Sequence, residues 1–380
     1  MSPGLKGSGS SRWMSPELLD DGPRTPKADI YALGMTIVEI LTGREPFADV
    51  RNPYKVYSMV SEDHRLPFEP LSRNGRDLRP IWELAASCWQ KEPENRPTAA
   101  KVIRHAAHLL HTSLPRPMPI EFHSYALSDG GLDQDSTSDS PPQHTSGVYS
   151  SLVARISQDA STENPEVNFT LYPSDRTTGP FDNTPANSLA RLALSSHDSH
   201  LIQITGQVAL SHSSDMYHGL YTPTRLRLAM KCPRIFERGT RQAERTMRDY
   251  MREAKTWSSL NHVNILPFYG VVEISSITYL VAPWAAHGDL SWFLKDRLEY
   301  LLHSSPTRCF VSDRKRKAFS AFDEAATIHG IASALAYLHT CDLIHGDVKG
   351  GTSFWMIPSL RYSVVLGLQR AKNSMLRGRG

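Results

Sequence analysis

Residues 12–42 read RWMSPELLDDGPRTPKADIYALGMTIVEILT, and the second half of this stretch decides the architecture. Between Lys27 and Thr42, apolar residues fall on nearly every side of a predicted helix. A helix of this kind belongs at the centre of a core, because it has no polar face to turn towards solvent. Two further helices are predicted over 81–89 and 98–111, with the prolines of KEPENRPT between them. The beginning of the chain therefore predicts a helical unit built around one buried helix.

A polar stretch follows this helical unit. Ser128 to Ser150 reads SDGGLDQDSTSDSPPQHTSGVYS, which is dense in Ser, Asp and Pro and has almost no aliphatic residues. Such a segment cannot bury enough apolar surface to offset the entropy lost on ordering. We therefore predict that residues 113–200 form a disordered linker.

The third part of the chain again has the patterns of a folded unit. RLRLAMK at 225–231 alternates as a strand does, and 277–281 indicates a buried strand. Helices are predicted over 241–260 and 322–339 from apolar residues at spacings of three and four. A strand-rich part followed by helices indicates an α+β fold.

Overall composition excludes several classes of partner. The chain has 380 residues, and its 42 Lys and Arg nearly balance its 39 Asp and Glu, so the net charge is only +3. This balance gives no indication of nucleic-acid binding or of attraction to a membrane surface. The N-terminus has no apolar segment of signal-peptide length, and no apolar run approaches the ~20 residues that span a bilayer. We therefore expect a cytoplasmic protein with no nucleic-acid and no membrane partner.

Two smaller features refine this expectation. The basic run Arg314 to Lys317 is either a nuclear-import patch or the solvated tip of an insertion between two helices, so a nuclear location stays open. The four cysteines are far apart and form no C-x-x-C pair, so neither a structural zinc site nor a disulfide framework is predicted.

Three motifs near the start of the chain carry a family resemblance. They are RWMSPELL at 12–19, DIYALG at 29–34 and CWQKEPENRPT at 88–98. In this order they resemble the end of a protein-kinase catalytic domain, from the close of the activation segment to the last helices. The resemblance implies a buried ion pair between Glu17 and Arg96. It also implies that Asp29, at the start of the central helix, holds the catalytic-loop backbone.

Motifs in the last part of the chain resemble the beginning of the same domain. They are AMK at 229–231, LVAPWAAHGDL at 280–290 and LIHGDVKG at 343–350. The resemblance implies that Lys231 pairs with ATP phosphates and that Glu253 is its ion-pair partner. It also makes Asp347 the catalytic base and places Lys349 beside the γ-phosphate.

The hinge and the specificity class follow from the same resemblance. Ala282 is expected at the gatekeeper position, and the backbones of Pro283 and Ala285 are expected to face adenine. Pro283 is tolerable at the first hinge position, because only its carbonyl would be needed there. Lys349 two residues after Asp347 favours serine/threonine specificity, whereas R-W-M-S-P-E and C-W…R-P are typical of tyrosine kinases. This mixture is typical of tyrosine-kinase-like serine/threonine kinases.

The metal-binding positions of the family are degraded. Kinases hold magnesium with an Asn five residues after the catalytic Asp and with the Asp of D-F-G, and these positions fall here on Thr352 and Val365. Thr352 offers one neutral oxygen and Val365 offers none, so no metal ligand is assigned and the use of Mg²⁺ is doubtful. Phosphoryl transfer depends on this charge stabilisation, so we expect impaired catalysis.

Two further departures from the family pattern concern glycine. The three positions of the glycine-rich loop fall on Ala209, Ser211 and Ser214, whose side chains would hinder close backbone approach to phosphate. Weak ATP binding is therefore expected. In the catalytic loop, Gly346 replaces the Arg that normally meets an activation-loop phosphate, which argues against control by activation-loop phosphorylation.

The kinase pieces stand in reverse order. Residues 1–112 correspond to the C-terminal part of the large lobe, and 201–380 to the small lobe, hinge and catalytic loop, truncated in the activation segment. The tail MLRGRG and the start GLKGSG both look like the same stretch of activation loop. The chain is therefore a slice of a tandem kinase array, one permuted pseudokinase domain or an active permuted kinase. Two functions are compatible with these motifs. The first is an impaired serine/threonine kinase, and the alternative is a non-catalytic scaffold that binds a partner protein through exposed lobe surfaces.

Overall fold

The computed structural model describes the chain in two pieces on either side of the central polar stretch. The described residues are 11–64, 66, 72–73, 76–112, 193–210, 214–235, 239–302, 313–356, 363–366 and 372–373. We call 11–112 the first piece and 193–373 the second piece. The predicted disordered linker lies outside the described residues as far as position 192, so over that range it stays a prediction.

The first piece is helical, as predicted. Its elements are α1 (Pro16–Leu19), α2 (Pro26–Thr42), α3 (Pro53–Ser61), β1 (Ser72–Arg73), β2 (Arg76–Asp77), α4 (Arg79–Cys88) and α5 (Ala99–Thr112). Strands β1 and β2 form a short antiparallel pair. The predicted helices at 81–89 and 98–111 correspond to α4 and α5.

Helix α2 confirms the prediction of a central helix. It begins where the Thr25 side chain accepts a hydrogen bond from the Ala28 amide. It ends at Gly43, whose φ of +71° is the left-handed conformation that favours glycine at this position. Every residue from Ala28 to Leu41 is buried, because the helix has no polar face.

An antiparallel five-stranded sheet with strand order β3-β4-β5-β7-β6 opens the second piece. Its elements are β3 (Ile202–Leu210), β4 (Ser214–Tyr221), β5 (Leu226–Pro233), α6 (Arg241–Ser258), β6 (Gly270–Ile274) and β7 (Ile277–Pro283). Leu194 is buried and pairs in parallel with Gly270, and a 3₁₀ helix at Ser196–Leu201 leads into β3. Residues 193–200 thus pack against the sheet and do not belong to the linker to which their polar composition assigns them, and the buried Leu194 anchors them to β6.

The rest of the second piece is mainly helical. Its elements are α7 (Leu290–Leu302), α8 (Asp313–Ser320), α9 (Glu324–Thr340), β8 (Leu343–Ile344), β9 (Ser353–Met356), β10 (Ser363–Leu366) and β11 (Lys372–Asn373). Strands β9 and β10 pair with each other, as do β8 and β11. Of the helices in the described parts of the chain, none is long and apolar enough to cross a membrane.

The two pieces share one hydrophobic core. Helix α5 of the first piece packs along α9 of the second, and α2 also contacts α9. The shared core includes Leu33 and Ile37 from α2, Ala106 from α5, and Ile331 and Leu335 from α9, all inaccessible to solvent. Each piece therefore covers an apolar face that the other would expose, which is the arrangement that a permuted domain requires.

Candidate nucleotide-binding and catalytic site

The sheet and helix α6 bring together Lys231, which is predicted to pair with ATP phosphates, and Glu253, its predicted ion-pair partner. Lys231 Nζ on β5 lies 2.7 Å from Glu253 Oε1 on α6, and both side chains are mostly buried. Tyr250, one turn before Glu253, fixes the helix against the sheet. Its hydroxyl donates to the Lys231 carbonyl and accepts from the Leu280 amide, and burial raises the pKa of this phenol. The lysine is therefore held with its ammonium group oriented by a carboxylate.

The predicted hinge lies at the end of β7. Ala282 pairs with Ala229 and Pro283 with Leu228, so both hinge residues still belong to the sheet. The Ala285 carbonyl accepts a hydrogen bond from the Gly288 amide at 3.0 Å. Within the described residues no hydrogen bond from the Ala285 amide is found.

The catalytic loop is held from the first piece by Asp29. Its carboxylate accepts hydrogen bonds from the His345 amide at 2.9 Å and the Gly346 amide at 2.7 Å, and it lies 3.0 Å from His339 Nε2. This confirms the role predicted for Asp29. Within the same loop, Lys349 Nζ lies 3.1 Å from Asp347 Oδ1, so the two predicted catalytic residues are adjacent.

A second buried carboxylate from α2 supports the same loop. Glu39 Oε2 accepts a hydrogen bond from the Gly350 amide at 3.0 Å, and Glu39 Oε1 accepts one from the Ser291 hydroxyl on α7. A Cβ atom on Gly350 would lie 2.6 Å from Glu39 Oε1, so only glycine allows this approach. Burial raises the pKa of Glu39, and the charge of nearby Asp289 adds to the increase.

The ion pair predicted at the base of the first piece is present. Arg96 donates to Glu17 through two nitrogens, at 2.6 and 2.8 Å, in a bidentate arrangement. The Arg96 side chain is fully buried and also donates to the carbonyls of Gln90, Lys91 and Lys27. Although burial raises the pKa of Glu17, the hydrogen bonds and charge of Arg96, together with a backbone hydrogen bond at Glu17, hold the pKa below its ordinary value.

The sequence pattern of the protein tyrosine and serine/threonine kinase family matches residues 4–106 and 204–350, more than half of the chain. The chain belongs to this family. The family uses ATP and Mg²⁺ in general, and the observed helices and antiparallel sheet are those of a kinase-like α+β fold.

Known kinases resemble parts of this domain. Mitogen-activated protein kinase kinase kinase 7 of Homo sapiens is 28% identical over 130 residues, which cover 34% of this chain and 21% of that protein. Mitogen-activated protein kinase kinase kinase 12 of Rattus norvegicus is 29% identical over 119 residues, 31% of this chain and 13% of that protein. Protein sevenless of Drosophila melanogaster is 36% identical over 106 residues, 28% of this chain and 4% of that protein. The similarity supports a tyrosine-kinase-like serine/threonine kinase, and the chain spans about a fifth or less of these relatives.

The magnesium positions of this kinase domain do not fit the ion. The Thr352 side chain is fully buried; its hydroxyl donates to the Asp347 carbonyl at 2.7 Å and accepts from the Lys349 amide at 3.2 Å. The hydroxyl hydrogen and one of the two oxygen lone pairs are thus engaged by the backbone. Val365 lies in β10, paired with Phe354. The described residues include no cluster of three or more His, Cys, Asp or Glu that could hold a metal.

The glycine-rich loop positions are described in part. Ala209 lies at the end of β3, paired with Met216, and Ser214 begins β4. Ser211 lies outside the described residues. Ala209 thus belongs to the β3–β4 ladder, whereas Ser214 pairs with Pro233 of β5.

Tyr250 and Glu39 contact the site residues or the loop that carries them, and neither contact was predicted from the sequence. Both had a signal. Glu39 is an acidic residue inside an otherwise apolar helix, and Tyr250 lies one helical turn from Glu253. Their partners lie in other elements, so the signal indicated a special role without indicating which contact is made.

Proposed function

We propose that this kinase domain binds ATP without a tightly held magnesium ion and transfers phosphoryl groups to serine or threonine weakly or not at all. The contrast between an intact Lys231–Glu253 pair and the committed hydroxyl of Thr352 carries the proposal. The first is the anchor for nucleotide phosphates. The second occupies the position at which a kinase would place a metal ligand, and here it serves the backbone instead.

The residues divide into those that hold the nucleotide and those that would act on the acceptor. Lys231 neutralises phosphate charge, and the Ala285 amide offers a hydrogen bond to the adenine ring. When bound, ATP supplies the phosphoryl group. The Asp347 carboxylate is the group that would accept the proton of a serine or threonine hydroxyl, and Lys349 beside it is the cation that remains near the acceptor.

The loss of the metal ligands sets the expected rate. Metal ions commonly contribute several kcal/mol of charge stabilisation, and each ~1.4 kcal/mol changes a rate tenfold. We therefore expect phosphoryl transfer at least two to three orders of magnitude slower than in a kinase with both metal ligands, while nucleotide binding persists.

Titration of the full chain with a fluorescent ATP analogue tests this function. We expect binding of similar affinity in EDTA and in magnesium, and loss of binding in Lys231→Met. Lys255→Met is the matched control, because Lys255 is an exposed lysine two positions from Glu253 on the same helix. Binding of the ATP analogue that requires magnesium would refute the proposal that the domain binds ATP without a metal ion. Absence of binding in the unmodified chain would refute nucleotide binding altogether.

The second candidate is a non-catalytic scaffold. It is favoured by the fact that the structural pairs, Glu17 with Arg96 and Asp29 with the catalytic loop, are complete while the metal positions are lost. In that case a partner protein would recognise the lobe surfaces, as predicted above. Absence of nucleotide binding together with a cooperative melt of the full chain is the result that would favour it.

A further inference from the structure

Residue 346 gives both of its backbone polar groups to the first piece. Its amide donates to Asp29 Oδ1 at 2.7 Å, and its carbonyl accepts a hydrogen bond from Arg24 Nη1 at 2.5 Å. Arg24 and Asp29 lie on either side of the beginning of α2. The peptide immediately before Asp347 is therefore gripped from two directions by one short segment that is more than 300 residues away in sequence.

Glycine at 346 is required by this arrangement for two reasons. Its φ of +72° lies in the left-handed region, where residues with a side chain are strained. In addition, a Cβ atom there would lie 2.6 Å from Arg24 Nη1 and 3.5 Å from Arg24 Cζ. The Arg24 guanidinium thus occupies the space into which any side chain at 346 would project.

Among the described residues, the Gly346 carbonyl is the one hydrogen-bond acceptor found for the Arg24 side chain. Arg24 is half-buried and forms no ion pair with any described residue. Its guanidinium is directed at the Gly346 carbonyl. A hydrogen bond from a charged donor is among the stronger ones in proteins.

We propose that Arg24 is a positioning residue for Asp347, acting through the Gly346 carbonyl, and that Gly346 is the residue that makes room for it. Gly346 and Arg24 then form a pair: the arginine that the family carries at 346 is missing, and the Arg24 guanidinium from the first piece lies where the Cβ of that residue would project. Restoring the family residue with Gly346→Arg should therefore damage this domain. This inference concerns the loop itself and does not depend on nucleotide binding.

Hydrogen exchange of the full chain, followed by mass spectrometry, tests the proposal. In Arg24→Met, amides in the 343–349 segment should exchange about tenfold faster or more, because the loop loses a hydrogen bond to a charged group. Amides of β7 should keep their wild-type rates, whereas a general loss of stability would speed both segments alike. Arg24→Lys should restore most of the protection, since lysine can donate one bond to the same carbonyl. Arg51→Ala, an exposed arginine without a described partner, is the control.

A double-mutant cycle separates the contact from backbone strain. Gly346→Ala carries the same φ strain in both backgrounds, so it should lower the melting temperature less in Arg24→Met than in the wild type. Equal losses in the two backgrounds, or unchanged exchange in Arg24→Met, would overturn the proposal. If Arg24→Met does not melt cooperatively, hydrogen exchange of Arg24→Lys tests the proposal instead. Protection of the 343–349 amides close to that of the wild type would support the positioning role of Arg24, and exchange at the unfolded rate would refute it.

Discussion

Substitution of Glu17 by Gln perturbs the buried ion pair at the base of the first piece. Gln keeps the size of the side chain but removes the charge that faces a fully buried Arg96. Breaking a buried pair by removing one partner commonly costs 3–5 kcal/mol. Here Arg96 keeps three carbonyl acceptors, and Gln can still accept one hydrogen bond. We therefore expect the free energy of unfolding to fall by about 2–4 kcal/mol.

Urea denaturation of the full chain measures this loss. Glu94→Gln is the control, because Glu94 is an exposed glutamate two residues from Arg96 and should change the free energy by less than about 0.5 kcal/mol. The same pair predicts a pH dependence. The folded-state pKa of Glu17 lies below the ordinary value of 4.5, so its stabilisation is present above that value and is lost as the pH falls through the lowered pKa. A Glu17→Gln chain as stable as the Glu94→Gln control, with the same acid dependence as the wild type, would refute the reasoning.

Three further predictions concern the loop, the metal position and a core cysteine. Gly350→Ala should destabilise the chain by about 1–3 kcal/mol in urea denaturation through overpacking. Gly351→Ala should be tolerated, because an added Cβ atom there would lie 3.8 Å from its nearest neighbour. Equal effects of the two substitutions would contradict the close approach of Glu39 to Gly350. Thr352→Asn combined with Val365→Asp should make binding of a fluorescent ATP analogue respond to magnesium, unlike the parent chain, and an unchanged titration would count against the metal assignment. Burial raises the pKa of Cys88 to about 12, so its thiol should stay protonated and unreactive at pH 8. Peptide mapping after maleimide treatment at pH 8 should therefore find Cys88 unlabelled until the chain is unfolded. Labelling in the native chain would show that the core opens.

The contact between the two pieces is polar as well as apolar. Asp29 and Glu39, both on α2, accept hydrogen bonds from amides of His345, Gly346 and Gly350 in the second piece. Apolar burial alone would tolerate sliding of one helix along another, whereas these bonds are satisfied in one register only. The buried carboxylates thus account for how two pieces separated by a long polar stretch place the catalytic loop accurately.

Local order and the family motifs were predictable from the sequence. The all-round apolar pattern of 27–42 predicted a buried central helix, and α2 is buried from Ala28 to Leu41. The motifs predicted the pairs of Glu17 with Arg96 and of Lys231 with Glu253, and both are present. These features are readable because helical periodicity and motif identity are properties of short stretches of chain.

Tertiary structure alone decided which groups meet across the chain. No spacing indicates that Arg24 reaches the carbonyl of Gly346, that Glu39 accepts from Gly350, or that the Thr352 hydroxyl is taken by the backbone. Residues 193–200 likewise have the composition of a linker, and tertiary contacts such as the pairing of Leu194 with Gly270 order them. The sequence by itself therefore determined the buried central helix, several other helices, two strands of the sheet and the residue pairs that the kinase motifs imply. Packing decided the fit between the two pieces, because hydrogen bonds over hundreds of residues depend on how buried surfaces come together in space.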